Sequence, residues 1–306
     1  MRKRLQNRMA ESRFAFPTMA IYGIAIWLAE GMKDGISWIE LALFVVSTVL
    51  MIALNNRNAL IRIYSRMVSC SYIAIAAAST FLFHNIEASI VGTCFILFYL
   101  ILLRSYQDKR APGIVFYAFA CLGVASTQFV QILYFVPMLW ILMASNLMAI
   151  TRKMFCASLL GILAPYWFLG GYWLYSNQLE MFEEHFTQLA QFAPLFEYGD
   201  LGINRIVTLG AVALLALIGT VHYLRTSYLD KIRTRMIYEM FITMNILTAV
   251  FIALQPQHTD KLLPMMTVNT SCLFAHYVVL TKTRITNITF LIVCIGMVAL
   301  TVFNLI

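Results

Sequence analysis

Long apolar runs separated by short charged connections constrain this chain more than any other feature. A hydrocarbon layer about 30 Å thick is crossed by roughly 20 helical residues, and inside it only helices or closed barrels satisfy the backbone's hydrogen bonds. The runs are of helical length and do not break into the short alternating segments of a membrane barrel. With 61% hydrophobic and 12% charged residues over 306 positions and a mean hydropathy of +0.79, the chain lacks the polar surface of a water-soluble globule. The sequence therefore predicts an all-α, polytopic integral membrane protein.

Charged punctuation divides the chain into eleven candidate spans. They are Phe16 to Ala29, Ile36 to Leu54, Val68 to Phe83, Ser89 to Leu103, Gly113 to Ser126, Val130 to Ile150, Met154 to Tyr175, Arg205 to Leu224, Tyr238 to Leu254, Leu263 to Leu280 and Asn287 to Ile306. Lys and Arg gather on the cytoplasmic side of membrane proteins. With the N-terminus inside, every basic residue of the 22 except Lys33, Arg205 and Lys261 falls in the N-terminal arm or an even-numbered connection. Ten acidic residues, among them Glu30, Asp34, Glu40, Glu87 and Asp260, fall at outer ends or loops. The expected topology is N-inside and C-outside, as a single membrane domain over residues 1–306. The net charge of +8 then reflects orientation and contact with anionic lipid, not nucleic-acid binding. The basic, apolar N-terminus lacks a small-residue cleavage site and reads as a retained first helix. The six cysteines sit in or beside spans without paired spacing, as buried apolar thiols do.

Residues 176–204 form the only connection with room for structure of its own. Leu179, Phe182, Phe186, Leu189 and Ala193 recur at spacings of three and four, with Glu180, Glu183 and Glu184 turned away. That pattern predicts an amphipathic helix on the outer interface, capped by Asn177 and ended by Pro194. It serves as a tether over helix ends or as a lid over a lipid-facing cleft. "APYWFLGGYW" offers Gly170 and Gly171 for close helix approach.

The candidate chemistry lies on the outer face. "QPQHTDKLLP" places His258, Asp260 and Lys261 together between two spans, on the same side as Glu30, Lys33, Asp34, His84 and Glu87. A carboxylate and a histidine around one cleft supply a general base or a divalent-cation site; a plain polar turn explains the same residues. Within the spans polar groups are few, chiefly Asn245, Asn269, Thr270, Ser271 and His276, which read as interhelical hydrogen-bonding residues and weigh against an ion-coupled transporter. No phosphate loop, dinucleotide fingerprint, zinc spacing or nucleophile elbow is present.

The stretches "LQNRMAESRFAFP", "NNRNALIRIYSRM", "FVPMLWILMASNLMAITRKMFCASLLGILAPYWFLGGYW" and "HTDKLLPMMTVNTSCLFAHY" resemble an uncharacterised family of bacterial multi-pass inner-membrane proteins. More distantly, the architecture is similar to the GT-C class of glycosyltransferases, which use polyprenyl-phosphate-linked sugars at the outer face. That resemblance implies a transferase for cell-envelope glycan. Asp34 or Glu30 would act as base or cation ligand, with Glu87 and Asp260 as further acidic candidates. Lys261 and Arg205 would meet the donor phosphate, and His258 would orient it. The first outer loop is shorter here than in that class. A second reading is a non-catalytic subunit of an envelope complex that docks protein partners through Glu180, Glu183 and Glu184; a transporter is the third.

Overall fold

The computed structural model describes residues 4–34, 38–192, 194–199 and 201–306. Among these the regular elements are all helical. They are α1 (Leu5–Glu11), α2 (Ala15–Asp34), α3 (Trp38–Asn58), α4 (Met67–Ala78), α5 (Ile86–Leu102), α6 (Pro112–Gln128), α7 (Val136–Ser145), α8 (Arg152–Tyr175), α9 (Leu179–Thr187), α10 (Ile203–Thr226), α11 (Ile232–Leu254), α12 (Thr259–Leu280) and α13 (Arg284–Leu305). Eight of them, α2, α3, α5, α8 and α10 to α13, are long and apolar enough to cross a membrane. The other predicted spans contain shorter apolar helices: α4, α6, and a 3-10 turn at Val130–Phe135 running into α7.

Helix α12 is the axle. It packs against α4, α5, α10 and α11, and 94% of its best membrane window is buried although the mean hydropathy there is only 1.3. Its polar side chains find protein partners: the Tyr99 hydroxyl donates to Asn269 Oδ1 (2.9 Å), Asn245 Nδ2 donates to Thr270 Oγ1 (3.1 Å), and Ser271 returns its hydroxyl to the Thr267 carbonyl. At its far end α1 is tied down, with Gln6 Nε2 donating to the Val278 carbonyl and Thr281 Oγ1.

Glycines set how closely the helices meet. A Cβ at Gly219 of α10 would stand 2.7 Å from the Leu273 backbone of α12. Gly123 and Gly161 bring α6 and α8 together reciprocally, each facing the other helix's backbone within 2.7 Å of where a Cβ would sit. Gly170 and Gly171, the pair expected to provide close approach, do not: nothing lies within 4 Å of a Cβ at Gly171, and Gly170 meets only the Phe182 ring edge at 4.0 Å. The contact surface of α8 lies instead on the face of Met154, Ser158, Gly161 and Ile162, two turns before them.

The connections bond to one another in two groups. At one end, Arg62 donates to the Leu229 carbonyl, Arg233 to Asn58 and the Leu103 carbonyl, Asn146 to Glu239, and the Gln107 amide to the Leu147 carbonyl. At the other, Lys261 meets Glu87 and the Gln128 carbonyl, and Gln131 donates to the Gln188 carbonyl. Two expectations fail locally. Asn177 adopts a positive φ of 56° and does not cap α9, whose N-cap is Gln178 without a side-chain bond. Helix α9 ends at Thr187, before Pro194. The six cysteines are free, but Cys156 is exposed and only Cys70 and Cys272 are buried.

Gly219→Val is expected to destabilise the protein by about 1–3 kcal/mol through overpacking against α12. Gly171→Ala is expected to be neutral or stabilising, since space is open and Ala favours helix. Thermal unfolding in a mild detergent compares them; equal behaviour of the two would contradict the close α10 to α12 contact.

Candidate functional site

The first turn of α12 organises the polar end of the bundle. A 3-10 turn, Pro256–His258, leads into it, and Thr259 fastens its hydroxyl to the Pro256 carbonyl. Asp260 then lies where the helix N-terminus favours negative charge. It accepts a two-pronged ion pair from Arg205 at the start of α10, with Nε to Oδ1 at 2.7 Å and Nη2 to Oδ2 at 2.8 Å. The guanidinium lies 5.3 Å from the Phe81 ring. Arg205 and Asp260 also line an open polar cavity of about 350 Å³ with Glu197 and Gln257.

Lys261 faces the other way. Its ammonium meets Glu87 Oε2 at 2.6 Å, reaches the Gln128 carbonyl at 3.4 Å, and stands 5.7 Å from the Phe129 ring. Glu87 is held in the first turn of α5 by the Asn85 cap, whose side chain accepts from the Ala88 amide. His258 sits between Phe129 and Phe251, with ring centroids at 5.2 and 6.0 Å, and its Nε2 is 3.2 Å from Gln257 Nε2. Exposed pairs of this kind contribute about 0–1 kcal/mol each to stability, so their grouping bears on binding more than on folding.

Five of the expected residues, Glu87, Arg205, His258, Asp260 and Lys261, thus surround one helix end. Glu30 stands on α2, which packs chiefly on α4. The side chain of Asp34 lies outside the described residues. Glu180, Glu183 and Glu184 are exposed on α9, whose opposite face folds back on α8 through Phe182 against Trp173 and Phe186 against Tyr166. Among the described residues no group of three or more His, Cys, Asp or Glu is placed to hold a metal ion.

His185 escaped the sequence reading, and Glu40 and His276 were named in it without their surroundings. His185 lies on the packed face of α9 with the Tyr166 hydroxyl 3.2 Å from its Nε2; its spacing of three from Phe182 was the available signal. Glu40, counted among the loop acids, is inside α3 and buried, and its Oε2 has no hydrogen-bond partner. His276 is indeed hydrogen-bonded, but to a carboxylate from the connection before α11: Nε2 meets Asp230 Oδ2 at 2.9 Å, both side chains being almost fully buried. The pair lies near the C-terminal end of α12, beside the connection that leads into α11.

Burial holds the His185 imidazole below its ordinary value of 6.5; a hydrogen bond with the Ser126 backbone opposes this, and the charge on Lys261 adds to it. A depressed histidine contributes its packing fully above the ordinary value and loses it as pH falls. Amide exchange over residues 179–192 is expected to quicken between pH 7.5 and 5.5, and His185→Phe to remove that dependence. Exchange that is pH-independent after correction for intrinsic rates would contradict this placement of His185.

No protein family, curated protein or solved structure matches this chain.

Proposed function

We propose that the chain crosses the bacterial inner membrane eleven times, N-terminus inside, and binds a lipid-linked phosphate at the outer end of α12. The crossing count is supported by the sorting of connections into two bonded groups that match the expected sides, and by the concentration of basic residues in one of them. The acidic face of α9, laid along the same outer end, fits an interfacial segment.

The observation that carries the binding reading is the gathering of Lys261, Arg205, Glu87, Asp260 and His258 around one helix end, where Arg205 and Asp260 line an open cavity. Both cations are already neutralised by carboxylates. A phosphate reaching Lys261 displaces Glu87, and in a transferase that displaced carboxylate is the general base. It takes the proton of an acceptor hydroxyl as the acceptor oxygen bonds to the sugar's anomeric carbon. The bond from that carbon to the phosphate oxygen breaks, and the lipid phosphate leaves with the electron pair, held by Lys261.

Mutual neutralisation also favours a second reading, a non-catalytic subunit in which the pairs brace α12 and the exposed Glu180, Glu183 and Glu184 meet a protein partner.

Native mass spectrometry of gently extracted protein separates them. The transferase reading expects a polyprenyl-phosphate lipid on the wild type and about 10- to 100-fold weaker retention in Lys261→Ala, the loss of a charge-assisted hydrogen bond. Glu87→Gln is expected to keep the lipid and lose transfer. A protein partner with no such lipid would favour the subunit, and equal lipid retention in Lys261→Ala would overturn the assigned phosphate site.

A further inference from the structure

A second, smaller cavity is bounded by α2, α3, α4, α5 and α12. It has a volume of about 60 Å³ and is lined by Glu40, Ser47, Tyr72, Ser89, Pro264 and Thr267, among others. Glu40 is 6% exposed, and its Oε2 is buried with no hydrogen-bond partner. Among the described residues no Lys, Arg or His lines it. The nearest cation on α12, Lys261, is committed to Glu87 at 2.6 Å. The cavity is walled tightly on one side, where a Cβ at Gly92 would come within 2.9 Å of Pro264 Cβ.

A carboxylate in such a place lacks what buried charges require. Taking it out of water costs several kcal/mol unless an opposite charge accompanies it, and native proteins rarely leave a buried acceptor oxygen unpaired. The hydroxyl-bearing residues Ser47, Tyr72, Ser89 and Thr267 line the same cavity as the carboxylate, with the Ser47 hydroxyl also 2.8 Å from Thr93 Oγ1. These hydroxyls and the carboxylate are oxygen ligands of the kind that suit a hard cation, and the Trp27 indole, which also lines the cavity, is a hydrogen-bond donor and not a ligand. The charge count then selects its valence. One carboxylate balances one positive charge, whereas a divalent ion would leave a net charge in a low-dielectric interior. The volume accommodates a small ion with a water or two, at roughly 30 Å³ per water.

We propose that Glu40, with the neighbouring hydroxyls, binds a single sodium ion inside the helix bundle. The bound ion joins α3 to α4, α5 and α12, so occupancy tightens the packing around the axle helix. This site is separate from the lipid-phosphate site and stands or falls independently of it.

The test is thermal unfolding of the full-length protein in lipid nanodiscs, titrated with sodium chloride against choline chloride at constant ionic strength. The expected result is a saturable rise in Tm with sodium alone, abolished in Glu40→Gln. Thr267→Val, which removes one hydroxyl while keeping shape, is expected to need about tenfold more sodium for the half-maximal shift. Should Glu40→Gln fail to fold, the Thr267→Val titration and sodium-23 line broadening by the wild type decide the matter. Identical unfolding in sodium and choline, a response only to divalent ions, or an unchanged sodium response in folded Glu40→Gln would each overturn the proposal.

Discussion

The architecture depends on enclosing the polar face of α12. Apolar surface gains nothing by moving from lipid to a protein interior, so the helix that most needs protein neighbours is the one with hydrogen bonds to satisfy. Asn269, Thr270, Ser271 and His276 lie in α12, and the neighbours supply Tyr99, Asn245 and Asp230 to meet three of them. The consequence runs against a soluble protein's logic: α12, at a mean hydropathy of 1.3, is 94% buried, while α13, at 2.4, is 17% buried. Small residues complete the fit, with Gly219 letting α10 approach the α12 backbone at Leu273 and Gly92 making room in α5 for the Pro264 side chain.

Charge is sorted along the same axis. The N-terminal end of α12 carries two cation and carboxylate pairs in partly exposed surroundings, while its C-terminal end holds Asp230 and His276 in burial and is clasped by the polar side chains of α1. The two ends differ chemically. The first is open, aromatic-rimmed by Phe81 and Phe129, and contains groups able to exchange partners with a ligand; the second is closed and structural. Between them, Glu40 places a third polar centre in the interior of the bundle.

The helical segments were legible because most are apolar runs bounded by charge, which survives any tertiary arrangement. The grouping of Glu87, Asp260 and Lys261 at one end was legible too, since alternating connections place them together whatever the packing. The centrality of α12 was not. Its polar residues lower its hydropathy, and only the partners contributed by α5 and α11 show that they are interior. Glu40 was read by proximity to a loop, because a sequence position two residues from a helix start does not reveal how deeply a side chain turns inward. Gly170 and Gly171 drew attention as a pair, yet close approach in α8 is decided by the face that meets α6, where Gly161 lies.

The proposed topology has α12 crossing the membrane with its charged first turn outside and its C-terminal end inside. The most direct measurement is labelling of single cysteines at Gln257 and Lys282, both exposed, by a membrane-impermeant maleimide in intact cells, on a background lacking the six native cysteines. The expected result is labelling at position 257 alone, with position 282 reacting only after the membrane is opened. Labelling of both positions in intact cells, or of position 282 alone, would contradict it.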